Sequence, residues 1–180
     1  MELLFLFILI LFLCQITWYS WKYGITPTPT SFQVQRVLLD AFPKQIEGTI
    51  VELGSGWGLL AWSIAKRYPQ NPVIGYEISP IPYLFSWCWN KIFPQPNLHF
   101  ERKDFFSISL KEVAVVVCYL YPGAMRRLKL KFEEELLLDT LIISHTFAVP
   151  GWVATRTDVV NDLYRTPVYV YQIKKITDVS

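Results

Sequence analysis

Glu52, Glu77 and Asp104 are three acids placed where predicted strands end, and the first opens Glu52-Leu53-Gly54-Ser55-Gly56-Trp57-Gly58. Glycines at alternate positions describe a backbone that turns tightly and lets a ligand come close, because glycine accepts positive φ and has no Cβ in the way. A strand, such a turn and a helix N-terminus together make a nucleotide-type cofactor site. A carboxylate at Glu52 would repel a pyrophosphate, which argues against a nicotinamide dinucleotide and for a cofactor that carries an amine. Three acids at successive strand ends repel one another unless a ligand holds them together. A carboxylate after the second strand suits a ribose diol, accepting two hydroxyl donors. Asp104 suits an exocyclic amine such as that of adenine, and Glu52 suits a cationic group or the amides of the turn. Singly, Glu77 reads equally well as a surface charge and Asp104 as a helix N-cap; the spacing of the set favours a site.

The elements that must position these residues alternate. Thr30 or Ser31 caps a helix running to about Phe42, which Pro43 ends. Strands are expected at Thr49–Leu53, Val73–Glu77, Leu98–Glu101, Val113–Leu120 and Thr140–Ser144, with helices over 59–67, 82–93 and 123–138 between them. The fourth strand is β-branched and almost wholly apolar, as a central parallel strand should be. Two further strands, Trp152–Thr157 and Val168–Ile173, close the pattern. This order predicts an α/β fold, a Rossmann-like, doubly wound, mostly parallel sheet with a terminal antiparallel strand pair.

The chain has 180 residues, and its 52% apolar content is high for a soluble domain. Leu3 to Cys14 is unbroken apolar sequence, and the run stays membrane-compatible to Trp21, close to the ~20 residues that span a bilayer as a helix. Trp18, Tyr19, Trp21 and Tyr23 then read as an interfacial belt. A cleaved signal peptide fits less well, since no Lys or Arg precedes the run and no small-x-small site follows it. A buried helix of the domain would show a polar face, and this run has none. The expected organisation is therefore a single-pass anchor over 1–23, a stiff Pro/Thr linker over 24–31 and a domain over 32–180. Lys22, Arg36 and Lys44 after the span place that domain on the cytoplasmic side.

A net charge of +2 gives no footprint for nucleic acid. The bases at Arg126, Arg127, Lys129 and Lys131 run into Glu133–Glu135 and read as a solvated helix face. Three scattered cysteines and two histidines, His99 and His145, point to neither a disulfide framework nor a metal site. Both histidines read as structural.

On these residues the chain resembles a class I S-adenosylmethionine-dependent methyltransferase over about 32–173. The glycine-rich stretch from Glu52 to Gly58 matches that family's first motif, Glu77 its ribose-binding acid, and Asp104-Phe105 its acidic-aromatic pair beside the adenine. Within the class it is similar to small membrane-anchored protein lysine methyltransferases, through Val51–Gly56, Gly75-Tyr76-Glu77 and Asp104, the apolar N-terminus and Pro122. Trp57 stands where an acid is common in that group, and Phe105-Phe106 replaces Leu-Trp. The resemblance implies S-adenosyl-L-methionine bound by Glu52, Gly54, Ser55, Gly56, Gly58, Glu77 and Asp104. It also implies transfer of a methyl to a lysine amine of a membrane-associated protein. Tyr119 and Tyr121 occupy the place where this fold contacts the acceptor. A lipid or small hydrophobic acceptor, and a catalytically silent module that keeps the fold, are the competing readings.

Overall fold

Short runs rich in β-branched residues supply seven strands of one sheet, and the amphipathic segments between them cover its faces. The computed structural model describes residues 1, 2, 4–7, 10, 17, 18 and 30–174. In chain order the elements are α1 (Phe32–Asp40), β1 (Thr49–Leu53), α2 (Leu59–Arg67), β2 (Val73–Tyr76), α3 (Pro80–Ile92), β3 (Leu98–Glu101), β4 (Val113–Cys118), α4 (Pro122–Glu135), β5 (Leu141–His145), β6 (Arg156–Val159) and β7 (Pro167–Gln172). The strand order is β3-β2-β1-β4-β5-β7-β6. Strands β1 to β5 are parallel to their neighbours, β7 is antiparallel to β5, and β6 is antiparallel to β7. The doubly wound sheet with its terminal antiparallel pair is thus the observed architecture. The chain winds outward from β1 to one edge and from β4 to the other, so the switch point at which such sheets bind ligands lies at the carboxyl ends of these two central strands.

Alternation along the strands builds two cores. Ile50, Val115, Val117 and Ile143 face α1 and α2, meeting Leu38, Leu60, Ala61 and Ile64. Val51, Leu53, Val116, Cys118 and Ile142 face the other way, meeting Met125, Leu128 and Phe132 of α4. At the amino ends of β1 to β3 two side-chain amides, buried Asn71 and half-buried Asn97, tie the chain together. Asn71 Nδ2 donates to the carbonyls of Ile46 and Gly48, and Asn97 Nδ2 faces those of Ala65, Tyr68 and Asn71 at 2.8–3.2 Å.

Several boundaries differ from expectation for local reasons. β4 stops at Cys118, because Tyr119 and Leu120 leave the ladder so that Tyr121 (φ −62°, ψ 161°) can be the N-cap of α4, with Pro122 in its first turn. α3 starts two residues early, at Pro80, a position where the missing N–H does no harm. α4 ends at Glu135, where Leu136 turns extended (ψ 136°). β6 lies later than the expected 152–157, because the Trp152 ring packs on Phe132 and Tyr171 instead of joining the sheet. Ser31 rather than Thr30 caps α1, its Oγ accepting from the Val34 amide at 3.3 Å. On the α4 face expected to be solvated, Lys129 pairs with Glu133 at 3.8 Å near the surface, but Lys131 and Glu135, paired at 2.6 Å, are largely covered by the loop before β4.

Most of the apolar run and of the Pro/Thr linker lies outside the described residues. Among the described residues no helix is long and apolar enough to cross a membrane, so the expected transmembrane helix has no counterpart there.

Candidate functional site

The turn after β1 explains its own sequence. Gly54, Gly56 and Gly58 hold φ of +74°, +52° and +75°, each in the left-handed region that side chains avoid. Gly58 is the N-cap of α2, and a Cβ there would stand 2.5 Å from Ser86 Cβ and 2.6 Å from the Phe100 ring. A Cβ on Gly56 would meet nothing within 4 Å, so this point of the turn borders open space. The Tyr76 carbonyl accepts from the amides of both Gly54 and Ser55 at 2.9 Å, which seats the turn on the end of β2.

Glu77, one residue past β2, clamps the same turn. Its Oε2 accepts from the Gly56 amide at 2.9 Å and its Oε1 from the Ser79 amide at 2.7 Å. It is buried, not a loose surface charge. Each carboxylate oxygen has two lone-pair sites, so acceptor capacity remains for hydroxyl donors. Glu52 is buried at the end of β1, and its Oε2 has no partner among the described residues. Burial pushes its carboxyl up to about 8; the Ala61 amide of α2 opposes this, and the nearby Glu77 adds to it. Ser55 Oγ is a second buried polar atom without a partner. Two orphaned acceptors beside a turn bordering open space fit a ligand with a cationic or hydroxyl-bearing end, since such groups are otherwise costly to bury. The residues present therefore fit a ligand of the chemistry of S-adenosylmethionine, which carries an ammonium and a ribose diol.

Asp104 lies in the loop after β3 and is exposed, with Oδ1 accepting from the Phe106 amide at 2.9 Å. No helix follows, so Asp104 is not the helix N-cap its sequence also suggested; it caps a turn. The loop stands against the turn, because the Phe105 ring comes within 3.9 Å of where a Gly54 Cβ would be. Phe106 is held in turn by Arg127, whose guanidinium lies 3.7 Å from the ring centroid. Trp57 leaves the turn to meet Phe85 of α3 edge-on at 5.3 Å, and Phe85 continues through Trp89 to Phe93 as an aromatic row along the helix.

The two tyrosines part company. Tyr121 folds back over the start of α4, where its Cε2 stands 2.4 Å from the position of a Cβ on Gly123, so only glycine fits beneath the ring. Tyr119 stays on the rim. β-Ladder register pairs Leu53 with Cys118 and Cys118 with Ser144, so Gly54, Tyr119 and His145 come next at the carboxyl ends of three adjacent strands. Tyr119 stacks on His145 (ring centroids 4.1 Å apart, planes 19° apart) and lies parallel to Phe147 at 6.1 Å. His145 was expected to be structural; it is buried, but at this rim. The criterion that picked out Glu52, Glu77 and Asp104, a polar residue at a strand's carboxyl end, applies equally to Ser144-His145-Thr146 after β5. Applied there, it would have found the residue. Among the described residues no group of three or more His, Cys, Asp and Glu side chains is placed to hold a metal.

The model of the ANTKMT methyltransferase domain matches residues 52–156, more than half of the chain. The chain is 28% identical over 143 residues to the adenine nucleotide translocase lysine N-methyltransferase of Mus musculus, across 72% of this chain and 60% of that protein. It is 27% identical over 127 residues to a protein-lysine N-methyltransferase of Saccharolobus islandicus, across 69% of this chain and 78% of that one. An RNA methyltransferase from Salinibacter ruber, solved with S-adenosyl-L-homocysteine, shares the fold. Its TM-score is 0.72 at 24% identity, covering 85% of this chain and 98% of that one.

Proposed function

The chain belongs to the ANTKMT methyltransferase family, a group of S-adenosylmethionine-dependent enzymes, and from that premise we propose that it methylates a lysine amine of a protein held at a membrane. The observation that carries the reading is the buried, half-partnered Glu52 beside a glycine turn clamped by Glu77. The protein acceptor rests on the mouse and archaeal relatives, both named for lysine methylation.

When bound, the cofactor supplies a methyl group on a sulfonium, open to attack by a nitrogen lone pair. The chain's own work is binding and alignment, which can carry most of such a reaction. Glu52 takes the cationic end, Glu77 the sugar diol, Gly54, Ser55, Gly56 and Gly58 the close approach, and Asp104 the purine amine. Tyr119 faces the acceptor, with Tyr121 behind it at the start of α4. The lysine must arrive as the neutral amine, and a desolvated aromatic wall favours that form. Its proton leaves to solvent before attack.

A place beside the membrane, with the domain on the cytoplasmic side, is supported by the apolar run ending at Trp21 and the basic residues after it. Leu84, Phe85, Trp87, Ile92 and Phe93 give α3 and its C-cap an exposed apolar face, with Lys91 near the Trp87 ring and no acid on the helix. Aromatic and basic side chains together suit a bilayer interface.

Calorimetric titration of the full chain with S-adenosylhomocysteine tests the cofactor site. Binding is expected in the wild type, weakened by about a hundredfold or more in Glu77→Ala, the order lost with a charged hydrogen-bonding group and the turn it clamps. No binding by the wild type would remove the enzymatic reading. Incubation with labelled cofactor and a membrane extract then reads the acceptor: label on protein lysine is expected, and label in lipid would replace that assignment.

A further inference from the structure

The helix that approaches Glu52 also starts a chain of contacts that ends on the acceptor side. Ser63 Oγ of α2 lies 3.2 Å from Gln35 Oε1, and Gln35 Nε2 donates to the Thr30 carbonyl at 2.9 Å. Thr30 Oγ1 is 3.4 Å from His145 Nε2, and Thr146 Oγ1 is 3.1 Å from His145 Nδ1. Both ring nitrogens are therefore engaged, which fixes the imidazole plane, and that plane is stacked on Tyr119.

The backbone beside His145 is held in a conformation that threonine avoids. Thr146 has φ +69°, and the Phe147 amide donates to the His145 carbonyl at 2.8 Å, closing a three-residue turn of the strained kind. Two further bonds hold it: the Thr146 amide to the Pro167 carbonyl at 2.8 Å and Ser144 Oγ to the Phe147 carbonyl at 2.6 Å. What the strain accomplishes is to set two rings, His145 and Phe147, against Tyr119. Strain of this kind persists only where surrounding contacts over-determine it, and it clusters at working sites. Burial pushes His145 down to about 4, so the ring presents an uncharged face. Thr30, Thr146 and Tyr119 around it carry no charge either.

We propose that His145 is a positioning residue for the acceptor: held by Thr30 and Thr146, it sets the plane of Tyr119 so that this ring receives the acceptor amine. The inference rests on the reading of Tyr119 as the amine's contact. The relay through Gln35 ties that wall to α2, the same helix whose Ala61 amide reaches Glu52, so cofactor and acceptor sides share one reference.

The test compares full-length wild type, His145→Ala and His145→Phe, the last keeping a ring to stack. S-adenosylhomocysteine affinity, read by calorimetry, is expected to stay within about twofold in both variants. With the protein fraction of a membrane extract as acceptor, His145→Ala is expected to lose about tenfold or more in kcat/KM, the scale of a small misplacement of reacting groups. His145→Phe, which keeps the stack but loses the contacts to Thr30 and Thr146, is expected to fall between wild type and His145→Ala. As a readout free of turnover, n-butylammonium titrated into the S-adenosylhomocysteine complex should shift the ring resonances of isotope-labelled Tyr119 in wild type and far less in His145→Ala. Unchanged kcat/KM in His145→Ala, full wild-type kcat/KM in His145→Phe, cofactor affinity falling in step with activity, or no Tyr119 shift in wild type would each overturn the inference. Failure of the lysine reading itself is a separate result: the wild type would bind the cofactor product and label no protein.

Discussion

At the end of β1 a left-handed backbone is carried by Gly54, Gly56 and Gly58; at the end of β5 it is carried by Thr146, with φ equally positive and a branched side chain attached. The glycines are needed for room as well as angle, since a Cβ at Gly54 or Gly58 would collide with Leu120 or with Ser86 and Phe100. The threonine survives because Ser144, His145 and Pro167 hold its turn through hydrogen bonds from two strands. The turn after β1 thus depends on what is missing from a short stretch of sequence, and the turn after β5 on what distant residues add. The first should be intolerant of substitution at single positions, the second adjustable.

The sharpest way to break this comparison is Gly58→Ala. A left-handed alanine costs about 1–2 kcal/mol, and forcing a methyl against Ser86 and Phe100 adds about 1–3 kcal/mol. A loss of about 2–5 kcal/mol is expected in denaturant unfolding, with cofactor-product binding abolished or nearly so. A stable, binding Gly58→Ala would mean that the turn is not fixed by its glycines.

Glu52 gives the next effect. In the fold its carboxyl keeps its proton up to about 8, while in the unfolded chain it ionises near its ordinary value of 4.5. The folded state therefore binds more protons between these values, and stability contributed by the neutral form is full below 4.5 and is lost as pH rises through about 8. Melting of the ligand-free protein is expected to drop by several degrees from pH 5 to pH 8, and Glu52→Gln should flatten that slope. Binding a ligand ammonium reverses the preference, so titration with S-adenosylhomocysteine near pH 7 should release up to about one proton. This is read as a binding enthalpy that varies with the buffer's ionisation enthalpy. Buffer-independent enthalpy would separate Glu52 from the ammonium.

Thr146→Gly should have the smallest effect on stability. Relief of about 1 kcal/mol of strain is offset by a similar loss of chain entropy, leaving the melting point nearly unchanged. Acceptor turnover should fall severalfold as the His145–Tyr119–Phe147 stack loosens, with cofactor affinity intact. A large loss of stability would show that this turn supports the fold rather than the site.

The same contrast explains what could be read beforehand. The glycine turn, Glu77 and the strand order were legible because each is written in a few adjacent residues: positive φ needs glycine, and a parallel strand needs a β-branched run. The stack was not, because Tyr119, His145 and Thr30 are brought together by ladder register and by the packing of α1, neither of which leaves a local signal. Thr146 carries no mark of its φ at all. Tyr121, bracketed with Tyr119 on sequence, has its ring seated over Gly123 at the head of α4, a contact visible only in space. β6 slipped because Trp152 had a better use in the core than in a ladder.

The paired amides of Asn71 and Asn97 sit at the amino ends of the strands, the opposite end from all of this chemistry. They gather five carbonyls, one from α2 and four from the segments around it, onto two side chains, so this end is fastened independently of the other. A lineage with such a base is free to trade the rings at its mouth for others, one substitution at a time, and so change what it modifies while inheriting the same frame. For an engineer the corollary is practical: diversify around Tyr119 and Phe147, and leave the two asparagines alone.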